Sequence, residues 1–182
     1  IKNSNFQGSD LTGSKFYAND LQGTDFTGTN LTDCNFKSVD LRNAVFNKTI
    51  LLCTEFNTSV FESAQFTDVN FHNTKIIMCD LRKTVFVNCW FNGVDFKSDL
   101  RDVCFEGMTF TNVNFDKAYL PGVSFKGATL KNVSFLSGFV FSKKYYRAVQ
   151  SINFAGAFMD KLTFASLKGI GANLNEVTII PN

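Results

Sequence analysis

Five cysteines and one histidine carry most of the reactive chemistry open to this chain of 182 residues. The cysteines stand at 34, 53, 79, 89 and 104, so there is no Cys-x-x-C pair. A single histidine, His72, cannot complete a zinc site with thiols this scattered. Nor does His72 have a serine, cysteine or carboxylate at a spacing that would suggest a catalytic triad. The charged groups are better organised. Asp-Leu-Arg occurs three times, at 40–42, 80–82 and 99–101, and Lys143, Lys144 and Arg147 flank Tyr145 and Tyr146. Basic residues interleaved with aromatics can hold nucleic acid or a protein partner, although an ordinary exposed loop has the same composition. No catalytic residue, cofactor or metal is expected, and the chain reads as a non-enzyme.

The elements that must position these residues follow from a period of five. From Phe6 to Phe96 every fifth residue is large and apolar, nineteen positions without one polar intruder. "FKSDL" then drops one residue, and the count resumes from Leu100 through Phe105, Phe110, Phe115, Leu120, Phe125, Leu130 and Phe135 to Val140. Two positions before each large residue lies a small one, such as Ser9, Thr24, Cys34, Ala44 or Val123. Side chains alternate along an extended segment, so both columns point inward. The other three positions carry Asp, Asn, Lys, Thr and Gly and face water or turn corners. A short extended stretch and a turn, repeated, wind into a solenoid.

A period of 20 lies inside the period of five. Phe6, Phe26, Phe46, Phe66, Phe86, Phe105 and Phe125 form one all-Phe column, and the next three columns begin at Leu11, Phe16 and Leu21. Four pentapeptides therefore make one coil, and like residues stack along each of four walls. The dropped residue before Leu100 must shorten a corner without changing the order of the walls.

The segments "GSDLTG", "GTNLTD", "KSVDLRN", "NVNFDK" and "GATLKN" resemble the pentapeptide-repeat proteins, whose pattern is written A-(D/N)-L-x-x. The resemblance spans residues 4 to 140 and departs by favouring Ser, Thr, Val and Cys over Ala in the small column. It implies an all-β fold, a right-handed quadrilateral parallel β-helix of about eight coils, and a rod roughly 40 Å long at ~4.8 Å per coil. One domain over 1–182 is expected, with regular coils to 140, a loop or short helix over 141–151, and irregular coils over 152–182. That last region has a weaker frame at Phe154, Met159, Phe164, Gly169, Leu174 and Ile179, and it is where a dimer could form. The start at Ile1, without Met, reads as a fragment or processed form.

The four-walled register places Cys34, Cys79 and Cys89 on three different sides, too far apart for the ~7 Å Cα limit of a disulfide. They are expected as free core thiols, which points to a reducing, cytoplasmic setting. No apolar run reaches the ~18 residues of a membrane span, and the formal charge of +2 advertises no strong electrostatic partner.

The resemblance brings three functional classes. One is a rigid, non-enzymatic scaffold for protein–protein contact. Another is a DNA-mimicking protein that binds DNA gyrase and protects it from quinolones. A third is the substrate-recruitment β-helix of a larger effector enzyme. Asp20, Asp40, Asp80 and Asp99 make an acidic ladder on the fourth wall, interrupted by Val60, which would suit the mimic. Arg42, Arg82 and Arg101, however, point out beside three of them, and DNA phosphates carry no such compensation. Charge also varies along the chain: residues 1–96 hold eight Lys and Arg against ten Asp and Glu, and residues 97–182 hold ten against six. Outward positions on two adjacent walls carry Val45, Ile50, Leu52, Val85, Val87 and Trp90 where neighbours are polar. These are the candidate partner-binding residues, with Trp90 as anchor. The expected partner is another protein, with no nucleic acid and no membrane.

Overall fold

A computed structural model describes residues 1–136 and 143–181. The chain winds as a four-sided parallel β-helix. The first wall pairs the strands Val45–Asn47, Gln65–Thr67 and Val85–Val87, with Phe46, Phe66 and Phe86 in register. The second wall is the longest, running from Ile50–Leu52 through Asn70–His72, Trp90–Asn92, Thr109–Thr111, Thr129–Lys131 and Phe158–Asp160 to Thr178–Ile180. The third begins at Lys15–Tyr17 and ends at Asp95–Asp99. The fourth is tied by single bridges, such as Asp20 to Asp40 and Asp99 to Tyr119.

The five-residue period has a backbone cause. The residue two places after each large apolar one sits at positive φ, from Asn3 and Gly8 through to Gly93, and this is the corner that turns the chain. Glycine, asparagine and aspartate tolerate that conformation best, but Lys48, Thr58 and Met78 adopt it here as well. At Gly93 and Gly122 the requirement is double, because a Cβ would also collide with the side-chain oxygen of Asn73 or Asp102 in the coil below. The shortened corner is explained in the same terms. Coil five has no left-handed residue between Phe96 and Leu100, so the residue missing from "FKSDL" is the corner residue itself. The pairing of Asp95–Asp99 with Lys75–Asp80 shifts by one at that point, and the wall order survives. Ser98 completes the corner, with its Oγ donating to the Ile76 carbonyl at 2.7 Å and accepting from the Cys79 N–H at 3.0 Å.

The interior is filled by stacked rings. Along the first wall successive Phe centroids are 5.6, 5.0, 4.5, 5.2, 5.1 and 5.4 Å apart from Phe6 to Phe125, and Phe154 continues the stack at 5.6 Å. Offset stacking of this kind adds about 0.5–1.5 kcal/mol per pair beyond burial. Phe26 through Phe125 in that column are buried, whereas Phe6 is half-buried because only one of its ring faces meets another coil. The preference for Thr and Cys over Ala in the small column also has a structural reason. Thr29, Thr49, Thr54, Thr74 and Thr84 each donate to the carbonyl 23 residues earlier, at 2.7 to 3.0 Å, so each hydroxyl staples one coil to the next. Cys34 does the same to the Leu11 carbonyl at 2.9 Å.

Two helices replace walls near the end. Helix α1, Lys143–Gln150, buries Ala148 and Val149 beside Ala118 and Leu120, and the Tyr145 hydroxyl donates to the Phe135 carbonyl. Residues 141 and 142, and the expected wall residue Val140, fall outside the described residues. Helix α2, Lys161–Ile170, corrects the frame expected for 152–182: Phe154 and Met159 do continue the first and second walls, but Phe164 and Gly169 lie on a helix and Leu162 is exposed. Asp160 is the cause. Its carboxylate caps α2 by accepting from the Leu162 and Thr163 N–H groups at 2.8 and 2.9 Å, and it also accepts the Asn132 N–H that a further coil would have taken. Thr163 Oγ1 takes the Val133 N–H at 3.0 Å, and Gly171, at φ 87°, closes the other end.

Candidate interaction surface

With the inward columns closed, any chemistry must come from the outward positions. Two potential reactive groups are removed by burial. Desolvation pushes the Cys79 thiol up to about 12 and the Cys89 thiol up to about 11, so neither is a thiolate near neutrality. Cys53 and Cys104 are exposed, and all five cysteines are free. The His72 ring has one side-chain hydrogen-bond contact among the described residues, with Asn92 at 3.3 Å. Among the described residues no group of three His, Cys, Asp or Glu could hold a metal, and no helix is long and apolar enough to cross a membrane.

The fourth wall carries paired charge. Arg82 Nε lies 2.8 Å from Asp80 Oδ1 and Arg101 Nε lies 3.0 Å from Asp99 Oδ1, in both cases with a second contact through Nη2, and Arg42 grips Asp40 in the same way. The Arg82 guanidinium holds the Asp80 carboxyl below the usual carboxylate range, and Arg42 does so for Asp40. On the intervening coil Glu62 pairs with Lys83 at 2.7 Å. Of the ladder only Asp20 lacks a cation among the described residues.

The six apolar candidates do not make one patch. Register sets Gln65 between Val45 and Val85, Asn70 between Ile50 and Trp90, and His72 between Leu52 and Asn92. Coil four therefore separates a group of Val45, Ile50 and Leu52 from a group of Val85, Val87 and Trp90. Val45 is half-buried and the other five are exposed, Trp90 by 50%. The second group straddles the corner between the first and second walls, where a recess of about 380 Å³ opens beside the indole. Trp90 and Met108 form its apolar side, and Asp68, Asn88 and Glu106 its polar rim. Sequence patterning missed Met108, Asp68 and Glu106. The available signal was Gly107, which leaves a gap in a corner column that holds Asp68 and Asn88 in the coils below. Further exposed apolar residues, Phe158, Leu162 and Ile179, lie near the C-terminal end of the second wall.

A solenoid of four pentapeptides per coil with a closed apolar core defines a repeat protein. The family model described as "Pentapeptide repeat region" matches residues 55–135, and that of "Pentapeptide repeats (8 copies)" matches 1–33 and 20–62. The chain belongs to the pentapeptide-repeat family, and its fold is the family's right-handed β-helix. Among solved structures it is similar to full-length QnrB1, a plasmid-mediated fluoroquinolone resistance protein, with a TM-score of 0.75 and 14% identity over 99% of this chain and 91% of that one. It is also similar to HetL, a pentapeptide-repeat protein involved in heterocyst differentiation regulation from the cyanobacterium Nostoc sp. strain PCC 7120, with a TM-score of 0.51 and 19% identity over 88% of this chain and 75% of that one. At these identities the likeness is one of fold. No curated protein matches the sequence significantly.

Proposed function

We propose that this protein is a rigid, non-enzymatic interaction module that docks a partner protein at the corner of coil five. The observation that carries the reading is that Val85, Val87 and Trp90 are exposed on neighbouring walls of one coil, with Trp90 lining a recess, on a rod whose apolar residues are otherwise mostly turned inward. A half-exposed tryptophan next to a cavity has the make-up of an interface anchor. Paired strands and stapled coils keep the corner fixed, so little conformational entropy is lost on binding. Exposed Phe158, Leu162 and Ile179 favour the C-terminal end as the place where two copies would meet.

The alternative reading is gyrase protection by DNA mimicry, and QnrB1, which shares the fold, is a fluoroquinolone resistance protein. The fourth wall argues against it, since its bidentate Asp–Arg pairs cancel the charge that a mimic must present. Photo-crosslinking distinguishes the faces. A benzophenone side chain placed at position 87 should give one defined crosslinked species in cells, and one placed at position 57 on the third wall should not. Equal crosslinking from both positions would contradict the reading.

A further inference from the structure

We propose that the recess beside Trp90 receives an arginine side chain of the partner, so that the docked protein is recognised by a guanidinium stacked on the indole. This deepens the reading of the coil-five corner and rests on it. The recess opens where the side chains of one corner column, Lys48, Asp68 and Asn88, give way to Gly107 and Gly127. Asp68 and Asn88 stand above one another at the left-handed corner of coils four and five, joined by Asn88 Nδ2 to Asp68 Oδ1 at 3.2 Å, and Gly107 follows in coil six with nothing within 4 Å of where its Cβ would be. Trp90 lines the same recess as Gly107, and its neighbours in its own column, Asn70 and Thr109, are shorter than an indole.

The rim determines what fits. Asp68 and Glu106 have no ion-pair partner among the described residues, whereas Asp40, Asp80, Asp95 and Asp99 each hold a cation. Asn88 donates to one oxygen of Asp68, and Ser124 Oγ donates to one oxygen of Glu106 at 2.9 Å. The second oxygen of each carboxylate has no hydrogen-bond donor among the described residues. Among the described residues no cation lies over Trp90, although Lys37 covers Tyr17 at 5.8 Å and Lys144 covers Tyr119 at 4.7 Å. An electron-rich ring face between two carboxylates with open acceptor positions attracts a planar, delocalised cation with donors along its edges. Arginine supplies that better than lysine, whose ammonium is a strongly hydrated point charge.

Trp90 is the single tryptophan of the chain, so its emission reports on the recess alone. The probe is the peptide Ser-Arg-Ser-Arg-Ser, titrated against the same peptide with citrulline for arginine, which keeps the shape and removes the charge. The arginine peptide should change the emission saturably, and the citrulline peptide should bind about tenfold more weakly or worse. Gly107→Asn should fill the notch and weaken the arginine peptide to a similar degree. Folding should persist in that variant, because Asn43, Asn73, Asn88 and Asn112 already occupy such corners, and circular dichroism would confirm it. The double variant Asp68→Asn, Glu106→Gln should act in the same direction while leaving the notch open. No saturable change, equal affinity for the two peptides, or indifference to Gly107→Asn would overturn the proposal. The titration concerns the recess and the crosslinking concerns the face. Corner crosslinks with a negative titration would therefore reject the arginine and keep the docking face.

Discussion

Asp80 and Arg82 point the same way across the inward-facing Leu81, with Arg82 Nη2 2.5 Å from Asp80 Oδ2 and the Arg82 N–H donating to Asp80 Oδ1 at 3.1 Å. The alternation of an extended segment produces the pair and the Asp-Leu-Arg tripeptide encodes it, so the acidic wall carries its own counter-charges. Both partners are solvent-accessible, and the coupling is correspondingly modest. A double-mutant cycle of Asp80→Asn and Arg82→Gln, followed by urea denaturation, should give a coupling of about 1 kcal/mol or less. A coupling well above that would mean the pair is a structural element of the rod.

Core stacking should dominate stability instead. Phe66 has a ring on either side, Phe46 at 4.5 Å and Phe86 at 5.2 Å, and it is buried. Phe66→Ala should cost about 3–5 kcal/mol, and Phe6→Ala, on the half-buried first coil, distinctly less. A loss below about 1 kcal/mol at Phe66 in urea melts would refute the assignment of the all-Phe wall.

The thiols test the four-sided register. In the native protein Cys53 and Cys104 should react rapidly with an aromatic disulfide reagent, while Cys34, Cys79 and Cys89 should react only after denaturation. Non-reducing mass spectrometry should find five free thiols. An intramolecular disulfide among the three buried residues would be incompatible with walls that keep them on different sides.

The first six coils and most of the seventh were legible because each inward position repeats the same demand: a large apolar residue at one place, a small one two places earlier. The corner positions were less so, since Met78 and Lys48 take left-handed backbone that their side chains do not announce. Helix α2 escaped for a different reason. Phe164 and Leu174 fall in phase with the period of five, and that phase hides a helix capped by Asp160 and closed by Gly171. The outward position of Trp90 was legible, but its carboxylate rim was not, because Asp68 and Glu106 come from coils four and six and line one recess only through the 20-residue register.

Acid should act on that helix. Burial alone would raise the Asp160 carboxyl, but the Thr163, Asn132 and Leu162 N–H groups and the Thr163 hydroxyl together hold it below the usual carboxylate range. A lowered folded-state pKa means the stabilisation is complete above the unfolded value and is lost as pH falls through the folded one. Asp160→Ala should therefore cost about 1–2 kcal/mol near neutrality, and the difference from the unsubstituted protein should shrink towards about pH 3. Thermal melts at the two pH values check this, and a difference that grows in acid would contradict it.

Gyrase capture on immobilised protein at about 150 mM salt, where charges are screened beyond ~8 Å, separates a docking rod from a mimic of DNA. With Asp40, Asp80 and Asp99 each held by an arginine, the unsubstituted chain should neither capture gyrase nor protect supercoiling against ciprofloxacin. Capture that falls steeply with salt, is abolished by Asp80→Asn and is indifferent to Trp90→Ala would contradict the docking rod.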